Sequence, residues 1–297
     1  MEAKRVTWRD IALTAFAPIA WATTYAITQL WLPPGRPLFS AMIRCLPVGL
    51  ILLLWVRRLP TGDWWWKAAL LGVLNFGGFF ALLFVGAYRL PGGLASTLQA
   101  TGPLAIMLLA WLLLRESPRR AAILGGLLGL VGVAVLVLRA GFVVDAVGVL
   151  AAIASVLVTS TGFVLVKRWT PPVDLLTLTA WQLVAGGLFL LPLALAIEGP
   201  PPVLTPAAAG SYVWLALVAT LLAYLCWFRG LRLLPAAAVG TLGLLNPLTA
   251  TLLGVVLVGE NFGPFQALGT ALVLAGVLLG QPAVMDAARA AWRRRAR

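Results

Sequence analysis

The sequence predicts an all-α integral membrane protein of ten transmembrane helices, and three observations predict it. Hydrophobic residues form 62% of the chain and charged ones 10%, with a mean hydropathy of +1.00. Soluble domains carry about 45–50% apolar and about 25% charged residues, so lipid must solvate much of this surface. The apolar residues come in long unbroken runs. They lack the alternation of a membrane β-barrel, and helices are the spanning form that satisfies its own backbone in lipid. The third observation is an internal repeat, described below.

A span needs about 20 apolar residues. The runs place spans at 10–31, 38–56, 64–86, 91–114, 120–138, 146–166, 174–197, 210–230, 235–258 and 264–281. The first follows Lys4, Arg5 and Arg9. It is long enough to cross and lacks a small-x-small cleavage site, so it reads as a helix and not a removed signal peptide. The connections are short and rich in Pro, Gly and Arg, and the longest runs from Glu198 to Gly210 through Pro200, Pro201 and Pro202. No soluble domain fits between the spans.

Ten spans put both termini on one side, and the basic residues say which. With the N-terminus inside, all but four of the 22 Lys and Arg residues fall in cytoplasmic segments. Arg36, Arg89 and Arg139 fall outside, and Arg44 lies within a span. This is the positive-inside pattern of a bacterial inner-membrane protein, and it explains the net charge of +13 without nucleic acid.

Shifted by 144 positions, the chain matches itself without gaps. Phe84, Gly86, Leu90 and Pro91 fall on Phe228, Gly230, Leu234 and Pro235. Thr97, Leu98, Pro103 and Leu104 fall on Thr241, Leu242, Pro247 and Leu248. Glu116 falls on Glu260, and Leu124, Gly125, Gly132 and Val133 fall on Leu268, Gly269, Gly276 and Val277. The repeats, 1–140 and 141–285, hold five spans each, an odd number, so the second enters the membrane from the opposite face. Inverted repeats are a recurring transporter plan; the alternative is a duplication kept for packing alone.

Gly259-Glu260 followed by Gln266, Gly269, Gly276 and Val277 resembles the EamA type of the drug/metabolite transporter superfamily. A looser copy stands at Arg115-Glu116, Gly125, Gly132 and Val133, with Arg where the second repeat has Gly. Among bacterial members the chain is most similar to the YddG-type aromatic amino-acid exporters. The resemblance implies export, and a central cavity walled mainly by helices 1, 3, 4, 6, 8 and 9.

Candidate binding residues gather on those helices. Pro91 and Pro235 suit first-turn positions, and Pro103 and Pro247 follow near mid-membrane, where a proline frees a carbonyl and bends the helix. Beside these breaks stand Gln99, Thr101 and Asn246. Polar groups at a midplane break point to a substrate site, or to helix–helix hydrogen bonding. Trp21, Thr24, Tyr25 and Thr28 share a face of helix 1, and Asn75 and Phe79 one of helix 3. Thr159, Ser160 and Phe163 lie close on helix 6, and Thr220, Tyr224 and Trp227 share a face of helix 8. Aromatic walls with a few hydroxyls and amides suit a small amphiphilic solute such as an amino acid; core packing is the alternative for each residue alone. Arg44 could bind a substrate carboxylate, but near the outer end of helix 2 it could also snorkel or bond a carbonyl.

Absences narrow the class. No Asp or Glu lies in the middle of a span and the chain has no His, which argues against proton coupling and against serine, aspartyl or zinc chemistry. Cys45 and Cys226 have no ligand spacing, so no metal or cofactor is expected. Glu116 and Glu260 read as capping residues at helix ends. Gly125 and Gly129 form a GxxxG that, with Gly269 and Gly276, favours close packing within one monomer over dimerisation. The tail from Asp286 to Arg297, with Trp292 and Arg293 to Arg295, reads as an interfacial anchor on anionic lipid. The expected partners are a small-molecule substrate and lipid, for a monomer or weak dimer.

Overall fold

The computed structural model describes residues 7–90, 98–137, 145–258 and 263–282, with Val284 and Asp286. Pro91, Arg139, Glu260 and most of the basic tail lie outside the described residues. Among the described residues there are helices and no strands. Six helices are long and apolar enough to cross a membrane, and four shorter apolar helices accompany them.

In chain order the helices are α1 (Trp8–Trp31), α2 (Pro37–Val56), α3 (Trp64–Gly72, continuing through Val73–Gly77 and Gly78–Arg89), α4 (Gly102–Leu114) and α5 (Arg120–Val137). Then follow α6 (Ala146–Trp169), α7 (Leu175–Glu198), α8 (Pro206–Ala216, Leu217–Leu222 and Ala223–Leu233), α9 (Ala236–Leu242 and Leu245–Val258) and α10 (Pro264–Gly280).

The starts are set by side chains that take up orphan backbone N–H groups. Thr7 and Asp10 form a capping box on α1. Asp145 accepts from Gly148 N at 2.7 Å at the head of α6, and Asp174 from Thr177 N at 2.9 Å at the head of α7. The Gly148 N–H and the Arg89 guanidinium hold the Asp145 carboxyl below the usual carboxylate range. Thr205 caps Pro206, so α8 begins four residues earlier than the sequence reading placed it and the preceding loop is shorter. The N-cap position of α2 is Arg36, which offers no cap, and the end of α7 supplies one. Glu198 accepts from Leu38 N at 2.5 Å and from Phe39 N at 2.9 Å.

Glycines set the helix spacing. A Cβ on Gly125 would lie 2.5 Å from the Gly276 carbonyl oxygen, and one on Gly276 would meet Gly125 O at the same distance. The GxxxG of α5 therefore packs against α10 of the same chain, with backbone on backbone. On the other side of the molecule Gly72 of α3 and Gly186 of α7 interlock in the same way.

Helices α3 and α8 share an irregularity the sequence reading did not anticipate. Each carries a π-helical segment, Val73–Gly77 and Leu217–Leu222, starting 144 positions apart. A π turn holds one extra residue, shifts the ladder of hydrogen bonds and frees a carbonyl. The prolines also act differently from the expected kinks. Pro103 and Pro247 stand in the first turns of α4 and of the second segment of α9, where a missing N–H costs nothing. The chain breaks just before each, with turns at Ala100–Thr101 and Gly243–Leu244.

Two outcomes are expected. Gly276→Leu forces backbone apart and should cost about 1–3 kcal/mol, the usual overpacking penalty, read as a lower melting temperature in detergent. Glu198→Ala should cost about 1 kcal/mol, the worth of a helix cap, by the same measurement.

Candidate substrate cavity

The helix breaks and the aromatic faces converge. A cavity of about 120 Å³ lies between α1, α2, α3, α4, α6, α8 and α9. At about 15 Å³ per water position it has room for several waters. Gly102, Pro103 and Ile106 of α4 and Gly240, Gly243, Asn246 and Pro247 of α9 line it at the breaks.

One wall is a continuous aromatic cluster. Trp21 lies 5.1 Å from both Tyr224 and Trp227, centroid to centroid, and stacks on Phe163 at 6.4 Å. Phe163 meets Trp227 at 5.4 Å, and Tyr224 meets Phe76 at 4.3 Å. Tilted and edge-on pairs of this kind suit the quadrupoles of aromatic rings. Ring edges and faces therefore present themselves to whatever enters.

Polar groups interrupt the wall. Gln99 donates from Nε2 to Ser155 Oγ at 2.8 Å. Ser160 and Thr159 are buried on α6 and line the cavity, as does Asn246. The Nε1 atoms of Trp21 and Trp227, and Oγ1 of Thr159, are buried with no hydrogen-bond partner among the described residues.

Arg44 of α2 is the sole charged residue among the described lining. The sequence-based expectation put helix 2 outside the main wall; the structure brings its arginine in, 1% exposed. Nε donates to Thr220 Oγ1 at 2.5 Å, Nη2 to Ala219 O at 2.8 Å and Nη1 to Thr24 Oγ1 at 3.3 Å. Its guanidinium carbon sits 4.4 Å from the Phe80 ring centroid. The side chain does not snorkel; it bonds a carbonyl that the π segment of α8 offers.

Trp21, Thr24, Phe79, Gln99, Thr159, Ser160, Phe163, Tyr224, Trp227, Asn246 and Arg44 thus meet around one space, with Pro103 and Pro247. Two expected members do not join them. Asn75 is fully buried and donates from Nδ2 to Gln182 Oε1 at 2.7 Å, a partner on α7. Its backbone oxygen accepts from the Tyr224 hydroxyl at 3.0 Å. Thr101 turns back on its own chain, donating to Leu98 O at 2.6 Å. Tyr25 lies on α1, but its side chain is outside the described set. Phe80, Leu83 and Val156 line the cavity and were not foreseen. Phe80 was reachable: the 144-residue offset lays it on Tyr224.

Residues 8–138 and 146–280 each match the EamA-like transporter family. The chain belongs to that family. This EamA-like chain is 35% identical to Protein PecM of Dickeya dadantii (strain 3937), over 90% of either chain. It is 30% identical to the uncharacterized transporter YwfM of Bacillus subtilis (strain 168), over 89% of its own length and 90% of that protein's. It is also 29% identical to a probable terminal-alkyne amino-acid exporter of Streptantibioticus cattleyicolor (strain ATCC 35852 / DSM 46488 / JCM 4925 / NBRC 14057 / NRRL 8057), over 71% of each. One crystal structure superposes with a TM-score of 0.75 at 23% identity, covering 92% of this chain and 98% of the other, a likeness of fold. The EamA-like protein is a membrane transporter and not an enzyme.

The Asn75–Gln182 pair belongs to packing. Gln182→Leu strands a buried amide and should cost about 1–3 kcal/mol in stability. The apparent KM of the folded fraction, measured in liposomes, should stay unchanged.

Proposed function

We propose that the protein exports small amphiphilic metabolites, amino acids including aromatic ones, across the bacterial inner membrane. The observation that carries this reading is the aromatic-walled cavity at the paired helix breaks, with amides and hydroxyls among its rings. Rings give area for an apolar side chain and the polar groups fix a zwitterionic head. The amino-acid exporter among the relatives supports the same class.

In this reading α1 to α10 are ten spans in two inverted repeats, 1–140 and 141–285, with both termini cytoplasmic and the 286–297 tail on the inner leaflet. The paired π segments at one offset support the repeat. The protein works as a monomer or weak dimer. Transport proceeds by alternating access, rocking one repeat-derived bundle on the other about the glycines and prolines of α3–α4 and α8–α9. No acidic residue stands among the described lining, which favours facilitated efflux over proton coupling and disfavours cationic drugs.

A polar knot ties α4, α6 and α9 together at the end assigned to the cytoplasm. Glu116, just past α4, pairs with Lys167 of α6 at 2.7 Å and accepts from Ala236 N, the head of α9, at 3.2 Å. Lys167 also donates to Leu234 O at 3.1 Å. Nearby, Gly240 and Pro103 are so close that a Cβ on the glycine would lie 3.2 Å from Pro103 Cα. Asp10 and Arg229 tie α1 to α8 at 2.6 Å.

Counterflow of labelled phenylalanine or tryptophan in proteoliposomes tests the function. Saturable exchange, equal with and without a pH gradient, is expected; folded protein that exchanges no amino acid refutes it. Lys167→Met should loosen the knot, so that a cysteine at Ile106, on the cavity wall, reacts several-fold faster with an impermeant maleimide from the cytoplasmic face.

A further inference from the structure

A second cavity lies apart from the central one. About 500 Å³ in volume, it sits between the ends of α4, α6, α8 and α10 and the starts of α5 and α9. That is the end of the molecule assigned above to the cytoplasm. Small-molecule sites usually measure about 300–1,000 Å³. The central cavity, at about 120 Å³, is below that range in this state, and the second cavity is within it. The two share helices but no residues. On α4 Ile106 lines the first and Met107 the second, and on α9 Gly240 lines the first and Ala238 the second. Between them α4 and α9 touch: a Cβ on Gly240 would stand 3.2 Å from Pro103 Cα and 3.6 Å from Ile106 Cβ. The second cavity is therefore a vestibule behind a closed contact.

Much of the vestibule is apolar, with Met107, Leu233, Leu234, Leu279 and several alanines on its walls. Its charged wall carries both signs side by side. Glu116 and Lys167 line it together, paired at 2.7 Å, with side chains 36% and 19% exposed. Arg119 and Arg232 line it as well, and each is engaged, with Asp286 Oδ1 at 3.3 Å and Val173 O at 3.3 Å. A part-exposed ion pair is weak, so its members can change partners. A ligand with a single charge takes one member and strands the other, which is costly where solvent is scarce. A zwitterion takes both, its ammonium on Glu116 and its carboxylate on Lys167, and every charge stays matched. The apolar walls then receive its side chain.

We propose that the vestibule is a second substrate-binding station, and that it selects zwitterions by exchanging the Glu116–Lys167 pair for the ligand's ammonium and carboxylate. This rests on the amino-acid reading above for the identity of the ligand. The same pair ties α4 to α6 and, through Ala236 N and Leu234 O, to the head of α9. Exchange of partners therefore loosens that tie as cargo arrives. In an exporter the vestibule is met before the central cavity.

The test uses the full-length chain in detergent, with Cys45 and Cys226 replaced by alanine and one new cysteine, Ala121→Cys. Ala121 lines the vestibule and is not among the lining of the central cavity. Maleimide labelling of that cysteine is followed against phenylalanine, phenethylamine (an amine without a carboxylate) and 3-phenylpropionate (a carboxylate without an amine). Phenylalanine should protect at a concentration at least about tenfold below that of either analogue, the worth of one charge-assisted hydrogen bond. The double variant Glu116→Gln with Lys167→Met removes both charges together and keeps an acceptor for Ala236 N, so it should melt within a few degrees of the parent. It should lose that tenfold preference.

Protection by phenylalanine in a protein that shows no counterflow upholds the station and sinks amino-acid transport. Counterflow with an unprotected cysteine does the reverse: transport stands and the proposal is wrong. It is equally wrong if either analogue protects as well as phenylalanine, or if the folded double variant keeps the parent's preference, since occupation of the central cavity then accounts for the protection. The analogue series on the parent decides alone if the double variant does not fold.

Discussion

Every backbone N–H and C=O in an apolar medium must find a partner within the protein, and the rest of this structure follows from that demand. Helices meet it along most of their length. Where the chain departs from α-helix, at the π segments of α3 and α8 and at the breaks before Pro103 and Pro247, it must meet the demand by other means. At the breaks it uses backbone turn bonds, such as Asn246 N to Gly243 O at 3.0 Å, and at the π segments it uses side chains that converge. Tyr224 and Arg44 bond carbonyls within the π segments and also line the cavity. The site is therefore a product of how the backbone was satisfied.

Elsewhere the helices lie as close as two backbones allow. Gly125 against Gly276, and Gly72 against Gly186, leave no room for a side chain. These seams flank a core in which rings and a few amides keep a space open. Apolar side chains such as Leu54, Trp55, Val256 and Phe265 face outward, as lipid contact requires. Close seams and an open centre suit a machine that moves in bundles. They are also why a single methylene on Gly276 should be felt more than many changes on the outer face.

The helices were legible because long apolar runs have few physical meanings; their ends were less so, and passing over Thr205 as a cap set the start of α8 four residues late. Eleven side chains that line the cavity were named from the sequence, since polar and aromatic residues at helical spacing beside prolines are conspicuous in a leucine-rich chain. Asn75 misled. A buried amide on a helix carries no sign of which neighbour it faces, and Gln182 stands 107 residues away. The π segments were hidden because one extra residue in a turn alters the phase of an apolar pattern too little to read. Arg44 was ambiguous for the same reason: whether it reached outward or bonded a carbonyl depended on α8 having a carbonyl to spare.

The unequal partners of the two π carbonyls have a consequence for time as well as for chemistry. A carrier assembled from two identical inverted halves would have no preferred face, since each state would be the other turned over. Here one half offers a phenol and the other an arginine on a phenyl ring. For a carrier of this design that difference tilts the resting balance, so the empty protein waits for cargo on one side of the membrane more than on the other.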